Sequence, residues 1–181
     1  MAVARNQAAQ MVLTTGDLMG YTMRSDSPET LSEQLPSRRT PHYGQIERMV
    51  RANWLASEHS IVISPNGKVQ LFSDANIFRS AVAARRIWKL EGVRVPGTRE
   101  RRYPAPAEAP NGARLDYMND GHHAGFELSW PQGRVIGFTI VYARPADRFS
   151  RTAAARVGAF LATAAQAQAQ RIDHVLSGAG T

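Results

Sequence analysis

The segment that most constrains the fold is the last third of the chain, where a strand-rich stretch runs directly into a helical one. Residues 125–142 read GFELSWPQGRVIGFTIVY, in which two β-rich runs flank the turn-forming Pro131-Gln132-Gly133. Residues 150–175 follow, rich in alanine, with larger apolar side chains recurring along one stripe. A hairpin packed beneath an amphipathic helix is the smallest unit of an α+β sandwich. The end of the chain therefore predicts that class of fold.

A similar strand–strand–helix block is predicted earlier, over about residues 46–91. Apolar residues between Ile46 and Ile63 favour one long or two short strands, and Asn66-Gly67 suits a tight turn into a returning strand. A helix is expected next, capped by Ser73 or Asp74, because apolar residues then recur at three- and four-residue spacing. Adjacent hairpins predict an α+β fold: a single, mostly antiparallel sheet of about five to six strands with helices packed on one face.

The length of 181 residues fits one α+β domain spanning residues 1–181, since two independent domains would each be small. Helical composition is expected at the start of the chain, over about residues 2–13. Two proline-rich polar stretches, near residues 24–43 and 93–112, are expected to be long irregular loops because they offer little apolar surface to bury.

Composition excludes several kinds of site. The chain has no cysteine, which removes disulfides, thiolate metal sites and cysteine nucleophiles. No apolar run approaches the roughly 20 residues that cross a bilayer. The first residues show no signal peptide, so export would require a signal or anchor ahead of this sequence. A cytoplasmic location is equally compatible with the composition.

No residue receives a catalytic, cofactor-binding or metal-binding role. The sequence contains neither G-x-S-x-G nor the glycine-rich phosphate-binding motifs. His122 and His123 are adjacent, so in an extended chain they point to opposite sides and rarely bind one metal. Asp116, Asp120 and Glu127 lie nearby at a spacing that matches no metal loop. A polar turn is the favoured interpretation of this region, and no cofactor is expected.

Large aromatic side chains occur on the predicted strands and helices. Packing in the core is the simpler explanation for most of them. The functional alternative is an apolar pocket between sheet and helices. Its lining would be Trp54, Phe72, Phe78, Trp88, Phe126, Trp130, Phe138 and Phe160.

The net charge of +7 comes from 20 arginines and only 2 lysines. Basic pairs at 38–39, 85–86 and 101–102, with Tyr43 or Tyr103 to stack on bases, could contact phosphates. These residues are spread over two loops and a helix, whereas a nucleic-acid footprint concentrates charge on one element. Nucleic-acid binding is therefore disfavoured, and an anionic membrane surface explains the charge slightly better.

Residues 11–18 read MVLTTGDL, and Met19 and Gly20-Tyr21 follow. This run is similar to the "LLT-x-x-DLPGY" opening of small actinobacterial exported lipoproteins and sensor-like domains, most of unassigned function, with Met19 where proline is usual. Similar passages are Val69–Ala75, Phe126–Trp130 with Gly133–Ile136, and Gln170–Ile172. The resemblance implies an extracytoplasmic α+β domain akin to the PsbP/Mog1-like sandwich. It carries over no catalytic residues, and the family's lipid-bearing cysteine does not occur in this sequence.

Three functional hypotheses follow. The leading one is a non-enzymatic domain of the cell envelope that binds a small apolar ligand or an envelope protein. The second is a small pocket enzyme of the cyclase or isomerase type that acts on an apolar substrate. The third is an assembly module that docks through its two loops. A cleft large enough for a ligand would favour the first two over the third.

Overall fold

The computed structural model describes residues 2–36, 38, 40–92, 101–119, 124–143 and 151–178. The helices are α1 (Ala2–Met11), α2 (Tyr43–Asn53), α3 (Ala81–Glu91) and α4 (Arg151–Leu176). The strands are β1 (Thr22–Pro28), β2 (Trp54–Ile63), β3 (Gln70–Phe78), β4 (Arg101–Tyr103), β5 (Arg114–Asn119), β6 (Ala124–Gln132) and β7 (Val135–Ala143).

The strands described here form one sheet in the order β1-β2-β3-β7-β6-β5-β4, and every neighbouring pair is antiparallel. The predicted α+β class with a mostly antiparallel sheet is confirmed, with seven strands against the five to six expected. Two hairpins, β2–β3 and β6–β7, meet where β3 pairs with β7 at the centre. The organisation of residues 1–181 as one domain stays a prediction.

The larger core lies on one face of the sheet, under α1 and α4. Alternate residues of β3, including Leu71, Ala75 and Ile77, are fully buried there. Helix α4 crosses β6 and β7, and α1 packs against β2 and α4. These two helices cover one face of the sheet, as predicted, because the apolar stripe of α4 needs a sheet face to bury it.

The sequence predicts helices on one face of the sheet, but a second, smaller layer lies on the opposite face. Helices α2 and α3 pack against each other there, with Ile46, Val50, Ala84 and Ile87 buried against the sheet. Two short helices cannot cover a seven-stranded sheet. Part of this face, on β3, β7, β6 and β5, is therefore left as the floor of an open cleft.

The prediction of strands from Ile46 onwards is wrong up to Asn53, because residues 43–53 form α2. Ile46 and Val50 are one helical turn apart and share its buried side. Glu47 and Arg51 form an ion pair at 2.9 Å with the same spacing on the helix. The β-branched residues of this segment suggested a strand, but their four-residue spacing suits a helix better.

Two other boundaries differ from expectation. The loop predicted from residue 24 begins only after Pro28, because β1 gains backbone hydrogen bonds from β2 despite its polar composition. Strand β3 continues to Phe78, and α3 begins at Ala81, where the Oγ of Ser80 accepts a hydrogen bond from the Ala83 amide at 3.1 Å. Within the described ranges, no helix has the length and apolar character to cross a membrane.

Candidate ligand-binding cleft

The cleft on the α2–α3 face encloses about 400 Å³. Its floor is apolar, with Phe78 from β3 and Ile136, Phe138 and Ile140 from β7. The segment containing residues 29–36 borders one side, and the end of α3 borders the other. Because strand side chains alternate between the two faces, these residues point away from the main core.

Strand pairing places acidic side chains beside this apolar floor. Asp74 is opposite Phe138, while Glu127 is opposite both Ile140 and Asp116, which in turn pairs with Arg102. Neighbouring strands are about 4.8 Å apart, so these residues form a band of charged and apolar groups across the sheet. The register therefore concentrates polar groups that are distant in sequence.

Two arginines close the wall beside α3. Arg102 donates to both carboxylate oxygens of Asp116, with Nε–Oδ1 at 2.8 Å and Nη2–Oδ2 at 3.1 Å, and its Nη2 also donates to the Gly92 carbonyl at 2.9 Å. Arg114 Nη1 donates to the Trp88 carbonyl at 2.8 Å, and its Nε lies 2.9 Å from Asp116 Oδ2. Both guanidinium groups are thus held on Asp116 and on the last turn of α3.

The ring of Trp88 packs against the guanidinium of Arg114 in this wall. The Arg114 guanidinium carbon lies 4.5 Å from the ring centroid, a cation–π arrangement. Burial lowers the pKa of Arg114, and the charge of Asp116 opposes that shift. Arg114 remains a cation at physiological pH, since an arginine pKa stays far above neutrality.

Two carboxyl groups of the cleft have raised pKa values. Burial raises the pKa of Asp74 well above its usual range, and the charges of Glu29 and Glu127 raise it further. Burial also raises the pKa of Glu91 to about 8, with Glu127 raising it and Arg114 lowering it. Each carboxyl therefore holds its proton more readily than an exposed carboxyl does. A positive charge nearby would favour ionisation.

The segment at residues 29–36 is fixed by its own hydrogen bonds. Gln34 Nε2 donates to Glu29 Oε2 at 2.7 Å, and His59 Nδ1 lies 3.9 Å from the other carboxylate oxygen of Glu29. Burial raises the pKa of Glu29, and His59 opposes the shift. Glu33 accepts from the amide and hydroxyl of Thr30, at 2.5 and 2.8 Å, and these bonds lower its pKa. This border of the cleft is therefore preorganised.

Asn76 supplies a polar atom without a partner. It lines the cleft two residues beyond Asp74 and is 7% exposed. Its Oδ1 is buried and has no hydrogen-bond partner among the described residues. A buried acceptor left unsatisfied costs about 1–3 kcal/mol. A molecule in the cleft that donates a hydrogen bond to Oδ1 would recover that free energy.

The structure separates the eight aromatic residues proposed to line a pocket. Phe78 and Phe138 lie in the cleft. Trp54 and Trp88 pack against the smaller core, where their Nε1 atoms donate to Ser57 at 2.8 Å and to Ser129 at 3.3 Å. A ligand-binding role for Phe78 and Phe138 stays a prediction.

The other four aromatic residues have partners elsewhere. Phe126 and Trp130 are buried in the main core, on the face opposite the cleft. Phe160 of α4 stacks with Tyr21 at 6.2 Å, and Phe72 meets Tyr142 edge-on at 5.0 Å. These contacts are those of packing residues.

Three other candidate residues, His122, His123 and Asp120, lie outside the described residues. Of the basic pairs, Arg102 belongs to the cleft wall, and Tyr103 packs on Phe126 at 5.8 Å instead of offering a free stacking surface. Across the portion of the chain that is described, no group of three or more His, Cys, Asp or Glu residues could hold a metal ion.

Sequence reasoning missed the acidic residues of the cleft, above all Asp74 and Glu91. The sequence predicts a helix cap at Asp74, whereas the run QLFSDANIF, residues 70–78, forms strand β3. Polar residues at alternate positions of an otherwise apolar central strand are the signal that could have found Asp74 and Asn76. Glu91 ends a helix and gave no comparable signal.

No protein-family model matches the chain, and comparison with curated proteins gives no significant match. Among solved structures, the chain is similar to the extracellular domain of PknH from Mycobacterium tuberculosis, with a TM-score of 0.54. The sequences are 10% identical, and the match covers 96% of each chain. At this identity the likeness shows a shared fold alone. The PsbP/Mog1-like fold named in the sequence analysis stays a prediction.

Proposed function

We propose that this chain is a non-enzymatic extracytoplasmic domain of the sensor type, which binds a small ligand in the cleft between the sheet and helices α2 and α3. The observation that carries the proposal is the cleft itself. Its volume of about 400 Å³ lies in the range of small-molecule sites, and an apolar floor with a few convergent polar groups is typical of them.

Two further points support this proposal. The segment at residues 29–36 and the arginine pair are fixed by internal hydrogen bonds, so the cleft is preformed. The similar solved structure is the extracellular domain of PknH, and it supports an extracytoplasmic location. The resemblance to actinobacterial exported lipoproteins points the same way. An epitope-tagged natural protein would be degraded by protease added to intact cells if this location is right, whereas full protection would contradict it.

Binding in the cleft can be tested with a set of neutral, anionic and cationic fragments added to the 15N-labelled protein. Amide signals of β3 and β7 that border the cleft are expected to shift, whereas those of α4 are expected to stay unchanged. Ile140→Trp would place a larger side chain in the cleft from its floor and abolish the shifts. Met19→Trp is the matched control, because Met19 is 99% exposed. Shifts that persist in Ile140→Trp would contradict the proposal.

The alternative is a small enzyme of the cyclase or isomerase type acting on an apolar substrate. One observation favours it: Asp74 and Glu91 are carboxyl groups with raised pKa values beside an apolar floor, a setting in which enzymes place general acids and bases. A fragment that binds and is chemically altered over time, with Asp74→Asn abolishing the change but not the binding, would select the enzyme. Binding without conversion would support the sensor.

A further inference from the structure

The charges that line the cleft do not balance. Its described lining contains six acidic residues and two arginines, and both arginines contact the same acid, Asp116. Arg102 also donates to the Gly92 carbonyl and Arg114 to the Trp88 carbonyl, so part of each guanidinium is directed at the protein. Arg114 Nε lies close to Asp116 but makes no hydrogen bond among the described residues. Acidic residues outnumber arginines in this lining even when Asp74 and Glu91 are protonated, so the cleft favours a cation over an anion.

Asp74 lies at the β3 side of the cleft, which β7 and β6 separate from the arginines on β5 and β4. Asp74 and Asn76 are two residues apart on the same face of β3, so their side chains stand roughly 7 Å apart. Glu29 borders the same region and interacts electrostatically with Asp74. A group placed between Asp74 and Asn76 could hydrogen-bond both.

The unsatisfied atom at this position is an acceptor. Asn76 Oδ1 requires a hydrogen-bond donor, and Asp74 when ionised accepts only. An ammonium group carries several N–H donors and no acceptor, which matches both requirements at once. A neutral hydroxyl could satisfy Asn76 Oδ1 but would add no positive charge beside Asp74.

Resting on the binding role proposed above, we propose that the cleft takes a small organic cation, a protonated amine carried on an apolar body. The ammonium group binds between Asp74 and Asn76, beside Glu29, and the apolar body lies over Phe138 and Ile140. Burying the body on β7 removes apolar surface from water, while the charge-assisted hydrogen bonds fix the orientation. A metal ion is a weaker candidate, because the described acidic residues form no group suited to one.

The test compares three probes of similar size: 2-phenylethylammonium, 2-phenylethanol and 3-phenylpropionate. Each is titrated into the 15N-labelled protein at low ionic strength and pH 7.5, and its dissociation constant is taken from the shifts of cleft amides. The cation is expected to bind at least about tenfold tighter than the alcohol, as for a hydrogen bond to a charged group, and the anion more weakly than both. This comparison uses the unaltered chain, so it does not depend on any variant folding.

Single substitutions then test which residues bind the ammonium group. Asp74→Asn should weaken the cation roughly tenfold or more and leave the alcohol within about twofold, because shape is kept and charge is lost. Asn76→Leu should also weaken the cation more than the alcohol. Asp173→Asn is the matched control, since Asp173 is an exposed acid on α4, on the other face of the sheet.

The outcomes separate this inference from the broader binding role. Equal binding of cation and alcohol, both lost in Ile140→Trp, would leave a ligand-binding cleft but overturn the preference for a cation. Preferred binding of the anion would overturn it too, and would show that the arginines are available to ligands. A cation whose affinity falls equally in Asp74→Asn and Asp173→Asn would be held by general surface charge, which also contradicts the proposal.

Discussion

The guanidinium of Arg114 occupies the space in which a side chain at residue 92 would begin. A Cβ on Gly92 would overlap Arg114 Nη1 and would lie 2.6 Å from its Cζ. The backbone of Gly92 is at φ −73°, which any residue can adopt, so the constraint at this position is the space that Arg114 fills. The end of α3 and the wall of the cleft thus depend on one another.

Gly92→Ala should displace Arg114 from Trp88 and Asp116. Overpacking of this kind typically costs about 1–3 kcal/mol, and we expect a loss of that size in the free energy of unfolding. Urea denaturation followed by circular dichroism would measure it. Gly44→Ala is the control, because a Cβ there would have no heavy atom closer than 3.8 Å. Equal losses in the two variants would show that Arg114 is not confined by Gly92.

The stability of the fold should decrease as the pH rises, through Glu91. Its pKa is about 8 in the folded chain against 4.5 for an ordinary glutamate, so the folded state binds the proton more tightly. The stabilisation is present in full below pH 4.5 and is lost as the pH approaches 8. Linkage limits the slope to about 1.4 kcal/mol per pH unit for one group. The pKa of Asp74 is also raised, so its ionisation likewise lowers the stability of the fold as the pH rises.

Urea denaturation of the wild type and Glu91→Gln between pH 5 and pH 8.5 would test this prediction. The amide resembles the protonated carboxyl, so the variant should become more stable than the wild type as the pH rises. Asp173→Asn serves as the control on the opposite face. A wild-type minus Glu91→Gln difference that stays constant with pH would contradict the raised pKa.

Two buried serines hold Leu13 against the sheet. The Oγ of Ser73 accepts from the Leu13 amide at 3.0 Å, and the Oγ of Ser60 donates to the Leu13 carbonyl at 2.7 Å. Alanine at either position would leave a buried backbone group unsatisfied and cost about 1–3 kcal/mol of unfolding free energy. Thr163→Ala, at an exposed helix position, should change stability by no more than about 0.5 kcal/mol. Losses below that value for both serines would contradict this role.

The main core was predictable from sequence, because the hairpin at residues 125–142 and the stripe of α4 carry clear periods of two and 3.6. The second layer, formed by α2 and α3, was not predictable from sequence. Ile46 and Val50 lie in a short segment whose β-branched residues favour a strand, whereas their four-residue spacing and the packing against α3 favour a helix. Local preference was overridden there by tertiary contacts.

The cleft was less predictable than the fold, since it depends on strand order. Asp74 and Glu127 come together because β3 pairs with β7 and β7 with β6, although 53 residues separate them in the chain. Antiparallel pairing between two hairpins leaves no local trace in the sequence. The aromatic residues were visible but gave little information, because they line cores and clefts alike.

The affinity of the cleft for an amine should rise with pH until Asp74 is ionised in the empty protein. Binding a cation favours the ionised carboxyl, so at lower pH a proton must leave Asp74. The facing charges are Glu29 and Glu127, with Glu91, Arg102, Arg114 and Asp116 at the far side. Displacing one proton limits the gain in affinity to about tenfold per pH unit.

Titrations with 2-phenylethylammonium from pH 5.5 to pH 8.5 would measure this pH dependence, since an alkylammonium keeps its charge in that range. In Asp74→Asn the affinity for the amine should depend little on pH. The affinity of the unaltered protein for 2-phenylethanol should not depend on pH. A profile that is equally steep in Asp74→Asn would show that another group carries the proton.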